Sequence, residues 1–206
     1  MGNLAELQDW ALVTPQQVKA HARIDNNDDD DLIITLINSA TKKCEDYCQR
    51  AFVQRAITEN RIADGGTLLM LNKRPVSAFT SISLDGTALT EDTDFTLYDE
   101  EGLLKRPVSN SLWTTEALLA YAWTEGQKIV AVYTAGYGAT RAATQALVPD
   151  AVLAVLICVS NWYENRLGIT SESISGIGSQ AYSEIGELPE QAKRLLSSLH
   201  ANLGIA

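Results

Sequence analysis

The clearest pattern in the chain is a run of apolar or small residues spaced three and four apart, which begins just after a cluster of acidic positions. The residues on this face are Ile33, Leu36, Ile37, Ala40, Cys44, Tyr47, Cys48 and Ala51. Polar side chains occupy the opposite face. The spacing predicts an amphipathic α-helix of about 20 residues, or roughly 30 Å.

The acidic cluster before this helix, from Asp25 to Asp31, reads DNNDDDD. Dense oxygen ligands suggest a calcium loop, but the spacing, the glycine and the final glutamate of an EF-hand are missing. We therefore interpret the cluster as a helix start. Asn or Asp would cap the helix, and the other carboxylates would favour the positive end of its dipole.

Three further segments have helical patterns. Thr14-Pro15 places a capping residue before a proline, which predicts the start of a short helix. Pro149-Asp150 begins a helix that extends to about Arg166. From Ala151 to Val159 that helix is apolar almost all round, which predicts a central buried element. Leu188-Pro189 opens a last amphipathic helix.

Between Phe52 and Gly138 the pattern changes to short segments separated by turn signals, which predicts a β-rich region. The candidate strands are Ala56–Ile62, Thr67–Leu71, Phe79–Leu84, Phe95–Leu97 and Lys128–Thr134. The main turn signals are Asp64-Gly65-Gly66, Asp85-Gly86 and Glu101-Gly102. Residues 109–123 suit either a helical turn or an irregular lobe. Residues 139–148 are rich in Ala and Thr and are expected to form a polar link.

These elements predict an α+β fold, with a helical bundle formed by the N- and C-terminal segments and a β-rich insertion lobe. We expect residues 1–55 and 140–206 to form the helical core. Residues 56–139 would form the lobe, with an acidic rim because seven acids lie between Asp85 and Glu101.

The charge balance argues against general nucleic-acid binding, and the cysteine content argues against a disulfide-stabilised fold. The chain has 16 basic and 26 acidic residues, a net charge of −10, and is a poor general binder of nucleic acid because phosphate contacts need Lys and Arg. Its three cysteines do not fit a disulfide framework, and we expect them to be buried small side chains. We predict no metal, no cofactor and no membrane span, since the longest apolar run is too short.

The sequence contains no strong match to a catalytic motif. Gly176-Ile177-Gly178-Ser179-Gln180-Ala181 loosely matches a dinucleotide fingerprint, but no strand precedes it and no βαβ unit surrounds it. The chain contains no G-x-S-x-G, P-loop or H-E-x-x-H sequence. A small hydrolase stays an alternative only if His21 or His200 lies beside a Ser or Cys and a carboxylate. An acidic DNA mimic would need ordered rows of surface acids, whereas here they cluster.

A series of short motifs, in order, carries a resemblance to a known family. They are Thr14-Pro15-Gln16-Gln17-Val18-Lys19, Arg23-Ile24-Asp25, Asp31-Leu32-Ile33, Tyr47-Cys48-Gln49-Arg50, Arg74-Pro75-Val76, Tyr133-Thr134-Ala135-Gly136-Tyr137, Val148-Pro149 and Trp162-Tyr163-Glu164-Asn165-Arg166. From about Val13 to Leu203, the chain resembles the head–tail connector (adaptor) family of tailed bacteriophages, in the larger form with a β-rich insert. No single motif is catalytic; their order and spacing carry the resemblance.

The resemblance implies a structural subunit and not an enzyme. Such subunits form a homo-oligomeric ring, usually a dodecamer, below the portal protein in the virion neck, after assembly in the host cytoplasm. The ring extends the DNA channel, through which DNA passes without specific binding, and offers a platform for stopper or tail-completion proteins. Another virion assembly factor, such as a stopper or head-completion protein, is the alternative.

The resemblance also directs attention to the C-terminal part, which in that family commonly contacts the portal. Nine of the twenty residues from Gly168 to Glu187 are Ser or Gly, with spaced apolar side chains among them. Such a stretch suits a segment that orders only on docking. The candidate portal or subunit interface is Ile169, Ile174, Ile177, Tyr182 and Ile185, with Trp162, Tyr163 and Arg166.

Overall fold

The computed structural model describes residues 5–107, 122–165 and 186–200. Over these residues the chain combines α-helices with antiparallel β-sheets, which confirms the α+β class. The finer expectation of a helical bundle stays a prediction. The chain divides into two compact units, which we call the helical unit (Met1–Cys48 with Arg141–Ala206) and the β unit (Gln49–Thr140).

The described helices all belong to the helical unit. They are α1 (Pro15–Ala22), α2 (Asp30–Cys48), α3 (Arg141–Leu147), α4 (Pro149–Glu164) and α5 (Glu190–Leu196). Helix α1 begins as predicted. The Thr14 hydroxyl accepts the Gln17 amide at 3.3 Å, and the Gln17 side chain accepts the Thr14 amide at 2.9 Å, which is a capping box.

Helix α2 is the 19-residue helix that the first pattern predicts, and it begins inside the acidic cluster. Asp30 and Asp31 occupy its first turn, which confirms the helix-start interpretation. Its predicted apolar face is buried at Ile33, Ile37, Ala40, Cys44 and Cys48.

Helix α4 contacts α1, α2, α3 and α5. One stripe of it is buried: Ala151, Ala154, Val155, Cys158, Val159 and Trp162. The expectation that this helix is buried all round is wrong on the other face, where Leu153 is 42% exposed. No single helix in the described ranges is long and apolar enough to span a membrane, although α3 and α4, bent by 108°, pass that test as a pair.

The three cysteines are free and fully buried, as expected. The neighbouring Cys158 of α4, together with burial, raises the pKa of the Cys44 thiol of α2 above its usual range. The two residues therefore mark where the N-terminal and C-terminal parts of the helical unit pack together.

The predicted polar link between the β region and α4 is wrong, because residues 141–147 form helix α3. Its sequence, RAATQAL, is dominated by residues with good helix propensity, and these outweigh its one threonine. That residue, Thr144, is fully buried, which shows that α3 packs into the unit.

The β unit contains two antiparallel sheets. The first has the order β1 (Arg55–Ile62), β7 (Lys128–Ala135), β3 (Val76–Leu84) and β4 (Thr87–Leu89). The second has the order β2 (Leu68–Met70), β6 (Leu103–Lys105) and β5 (Thr96–Tyr98). Strands β1 and β7, the first and last of the unit, are neighbours in the first sheet. The chain therefore enters and leaves the unit at adjacent positions.

All five candidate strands are confirmed, within a few residues at their ends. Asp85-Gly86 is a two-residue hairpin turn between Leu84 and Thr87, which pair directly; both turn residues have positive φ. Strands β4 and β6, each of three residues, were not predicted.

A buried polar cluster joins β1, β7 and the chain before β3. The Tyr133 hydroxyl donates to Glu59 Oε2 at 3.0 Å, and the Asn72 amide donates to the same oxygen at 2.9 Å. Arg61 Nη1 lies 3.4 Å from Glu59 Oε1. Burial is the main reason that the pKa of Tyr133 lies well above its usual value, and the neighbouring Glu59 carboxylate adds to the shift.

Gly136 allows the two ends of the β unit to cross closely. Its φ is +137°, and a Cβ at this position would lie 2.6 Å from the Gln54 backbone. The Gly136 amide donates to Pro75 O at 3.0 Å, and the Tyr137 amide donates to Phe52 O at 2.8 Å. A side chain here would force these backbone segments apart.

We expect Gly136→Ala to lower the free energy of unfolding by about 2–4 kcal/mol, because it adds both a steric clash and a strained φ. Gly86→Ala is the matched control, since Gly86 has φ +84° but nothing within 4 Å of its added Cβ. Urea unfolding measures both. Equal losses of unfolding free energy in the two variants would contradict the conclusion that a side chain at Gly136 clashes with the Gln54 backbone.

The raised pKa of Tyr133 makes stability depend on alkaline pH. The unfolded side chain titrates near its model value of 10.0, while the folded one keeps its proton to higher pH. Stability should therefore fall as pH rises above 10, by about 1.4 kcal/mol per pH unit for this group. Urea unfolding from pH 8 to 11 should show this slope diminished in Tyr133→Phe but not in Tyr98→Phe, a control at an exposed tyrosine. If stability falls with pH at the same rate in both variants, Tyr133 is not the group responsible for the alkaline loss of stability.

Candidate assembly surfaces

Of the predicted interface residues, Trp162 and Tyr163 lie in the described part, at the C-terminal end of α4. Trp162 is 5% exposed, and its Nε1 donates to Glu187 O at 3.0 Å. The Tyr163 hydroxyl donates to Asp29 Oδ2 at 2.6 Å, which ties the end of α4 to the start of α2. Both side chains therefore bind within the helical unit.

These two contacts fix the points at which residues 166–185 begin and end. The chain leaves α4 after Asn165, whose side-chain amide donates to Asn161 O at 2.8 Å. It returns at Gly186, next to the carbonyl that Trp162 binds. Leu188 is then buried, only 6% exposed, before α5 begins. Trp162 thus holds the two ends of that segment near each other. The remaining predicted interface residues, Arg166, Ile169, Ile174, Ile177, Tyr182 and Ile185, lie outside the described residues.

The outward face of α4 is apolar. Val152, Leu156 and Ile157 are half-buried, and Leu153 is exposed. Leu147, at the end of α3, is 61% exposed. Sequence reasoning missed this face, because a helix that is apolar all round gives no signal for which side the rest of the chain covers.

An N-terminal segment that the sequence patterns did not single out is bound between α2 and α3. Arg141 Nε donates to Ala11 O at 2.6 Å, and Gln145 Nε2 donates to Leu12 O at 2.8 Å. On the other side, the Leu12 amide donates to Thr41 Oγ1 at 3.3 Å. Ala11, Leu12 and Val13 are fully buried, so side chains of the helices replace the backbone partners that a strand would have had.

In the β unit the predicted acidic rim is exposed except at Asp94, which is half-buried, and its carboxylates differ in role. Asp85 Oδ1 accepts the Lys128 amide at 2.7 Å, and Asp94 Oδ2 accepts the Thr90 amide at 2.8 Å, so both stabilise turns. Asp99, Glu100 and Glu101 are exposed on the turn between β5 and β6, and their side chains bind no other described residue. We call residues 99–101 the acidic turn.

The described residues give little support to catalysis. His21 is exposed, and the ring of His200, also exposed, packs against Tyr47 with centroids 5.1 Å apart. Within residues 5–107, 122–165 and 186–200, no group of three His, Cys, Asp or Glu side chains is placed to hold a metal ion. The geometry offers binding surfaces and fixed segment ends instead.

Comparison with known proteins agrees with this picture. A family model described as head completion protein matches residues 11–201. Among curated protein sequences, none matches the chain significantly.

Solved structures share the fold. One is the neck of an empty gene transfer agent (GTA) particle computed with C6 symmetry, with TM-score 0.61, 15% identity, and coverage of 97% of this chain and 94% of that one. A native GTA virion gives TM-score 0.60 at 15% identity, with the same coverage. The neck of the native particle computed with C12 symmetry gives 0.57 at 17%, again with the same coverage. At this identity the likeness shows the fold alone.

Arg141→Ala should lower the free energy of unfolding by about 1–3 kcal/mol, because it leaves the buried Ala11 carbonyl without a donor. Amide hydrogen exchange should accelerate at residues 8–13 and change little within α4. Gln191→Ala, an exposed position on α5, is the control and should change neither quantity. Unchanged exchange at residues 8–13 would show that Arg141 does not hold the segment.

Proposed function

Because the chain belongs to the head completion protein family, we propose that it is a ring subunit of a phage-like virion neck, between the portal and the tail. The protein is a structural virion protein and not an enzyme. This family membership confirms the resemblance predicted from the order of the sequence motifs. The observation that carries the proposal is the length of the match, which takes in both units of the chain.

The ring is the first part of the proposal. Two similar chains come from necks computed with C6 and C12 symmetry, which supports a rotationally symmetric assembly, with twelve subunits as the expected number. A closed ring needs two different, complementary faces on each subunit. We propose that the helices of the helical unit form a bundle, a connector core that contributes to these faces. Among the described residues of that unit, the exposed large apolar side chains are Leu147, at the end of α3, and Leu153, on the outer face of α4.

The partners above and below the ring are the second part. We propose that the portal protein binds the C-terminal part of the chain, and that stopper or tail-completion proteins bind the ring from the other side. In this account Ile169, Ile174, Ile177, Tyr182 and Ile185 meet the partner, together with Arg166. Trp162 and Tyr163 would act by fixing where that segment begins, since both bind within their own chain.

The charge of the chain suits a channel through which DNA moves. A net charge of −10 gives DNA phosphates few cations to bind, so passing DNA is not retained. We propose that DNA traverses the ring without specific contacts and that the virion neck is where the protein functions. The β-rich insertion lobe would extend from this ring.

A second candidate is a stopper or head-completion factor that binds below an adaptor ring. The matching family is described as head completion protein, which supports this second candidate. The two candidates differ in their direct partner. An adaptor binds the portal, whereas a stopper binds an adaptor or the tail.

We expect the purified chain to be retained by immobilised portal protein from its own particle and not by the tail-tube protein. Native mass spectrometry of the portal complex should show a single closed number of copies, with twelve expected. Portal from an unrelated particle is the control. Retention by tail-tube protein alone would favour the stopper alternative, and binding to neither would contradict a role in the neck.

A further inference from the structure

The described part of the chain exposes five large apolar side chains. Ile62, Leu68 and Tyr98 belong to the β unit, and Leu147 and Leu153 belong to the helical unit. Four of the five lie on two faces, one in each unit, and Ile62 lies outside both. Exposed apolar side chains that lie together on a surface mark sites of interaction.

The first face is the outer side of the second sheet. Side chains alternate along a strand, so the residues next to the buried Leu104 and its neighbours in register point away from the core. On that outer side Leu68 is 50% exposed and Tyr98 is 44% exposed. We call this surface the sheet face, and its members are Leu68, Met70, Thr96, Tyr98, Leu103 and Lys105.

The second face is the outer side of α3 and of the beginning of α4. Thr144 is buried on the inner side of α3, whereas Leu147 at its end is 61% exposed. On α4, Leu153 is 42% exposed, and the exposed Asp150 lies three residues before it, on the same side of the helix. We call this surface the α3–α4 face, and its exposed members are Ala142, Ala143, Ala146, Leu147, Asp150 and Leu153.

Each face carries one charge, and the two charges are opposite. Lys105 lies beside Leu68 in register on the sheet face, and Asp150 lies beside Leu153 on the α3–α4 face. Both charged side chains are exposed, and neither binds another residue in the described ranges. The two faces are therefore alike in apolar character and complementary in charge.

These features favour a second copy of the chain as the occupant of both faces. A chain with a net charge of −10 repels its own copies, so a contact between copies needs a local cation opposite an acid. The sheet face supplies that cation and the α3–α4 face supplies the acid. A single lysine among apolar side chains is too little positive charge for a nucleic-acid backbone.

We propose that the sheet face of one copy packs on the α3–α4 face of the next, with Lys105 paired to the neighbour's Asp150. The inference rests on the proposed ring and names the faces that would join its subunits. Because the two faces differ, the contact repeats head to tail, as a closed ring requires. The apolar side chains contribute affinity by leaving water, and the ion pair sets the register of the contact.

The first test uses two charge-reversed full-length chains, Lys105→Glu and Asp150→Lys. Each alone brings like charges together at every contact of the ring. Each should therefore need at least about tenfold more protein than wild type to assemble on portal-bearing heads from its own particle. Mixed in equal amounts, the two chains can alternate around an even-numbered ring with opposite charges at every contact, and they should assemble near the wild-type concentration. Lys43→Glu, an exposed reversal on α2, is the control and should assemble normally.

The second test removes the apolar part of the contact. A chain carrying both Leu147→Ser and Leu153→Ser should also need at least about tenfold more protein to assemble, because two side chains no longer leave water. Both leucines are exposed, so urea unfolding of the isolated chain should change little. Ile62→Ser is the matched control, since Ile62 is 60% exposed but lies in the first sheet, and it should assemble as wild type does.

Several results would overturn the contact. If either single charge variant assembles as wild type does, the two charges do not meet. If the mixture fails but one chain carrying both Lys105→Glu and Asp150→Lys assembles, the charges pair within a single copy. If both the mixture and that chain fail, another partner covers the faces. Binding of the wild-type chain to phosphatidylcholine vesicles that the double serine variant loses would assign the α3–α4 face to lipid.

The same experiments separate this inference from the proposed function. If wild type never joins portal-bearing heads, the proposed function fails and the inference fails with it. If wild type joins them and the charge variants join equally well, only the inference fails.

Discussion

The packing of α4 against α2 is the interaction on which the rest of this structure depends. Chain segments separated by the whole β unit meet there, and Cys44 and Cys158 are close neighbours. Burying the stripe from Ala151 to Trp162 removes a large apolar area from water, which is the main source of stability for such a helix. Because that stripe binds the N-terminal part of the chain, residues 49–140 become an insertion between two parts of one unit.

An insertion must begin and end at nearly the same place, and the β unit meets that requirement through its backbone. Strands β1 and β7 are paired along their full length, so the entering and leaving chains are neighbours. Gly136 lets them cross without a side chain between them. The cluster of Glu59 and Tyr133 then fixes the same two strands from within, where an unpaired polar group would be costly. Each unit can thus keep its own core within one chain.

Much of this organisation could be predicted from the sequence, because long amphipathic elements follow simple periods. The helix cap at Thr14, the helix after the acidic cluster and the turn at Asp85-Gly86 were all predicted from local chemistry. Helix α3 and the exposed face of α4 were not. Before α4, Thr140 and Thr144 among alanines suggested a polar link, although residues 141–147 pack as helix α3. On the exposed face of α4, an apolar residue such as Leu153 contributes the same sequence pattern whether its own chain or another chain covers it.

The assembly features were the least visible in sequence, for a physical reason. The hydrogen bonds that Arg141 and Gln145 make to the N-terminal segment join residues 130 and 133 positions apart, so they depend on tertiary placement. Family membership was accessible because it rests on the order of many weak motifs, whereas a contact site rests on a few side chains that only the fold brings together.

The central claim is that this chain is a subunit of a closed ring in the neck. The most direct measurement is a symmetric electron-microscopy reconstruction of the neck from the particle that encodes it. The account predicts a ring of density between portal and tail into which both units of the chain fit, with every copy in the same orientation. A neck without such a ring, or density for the chain found elsewhere in the particle, would contradict it.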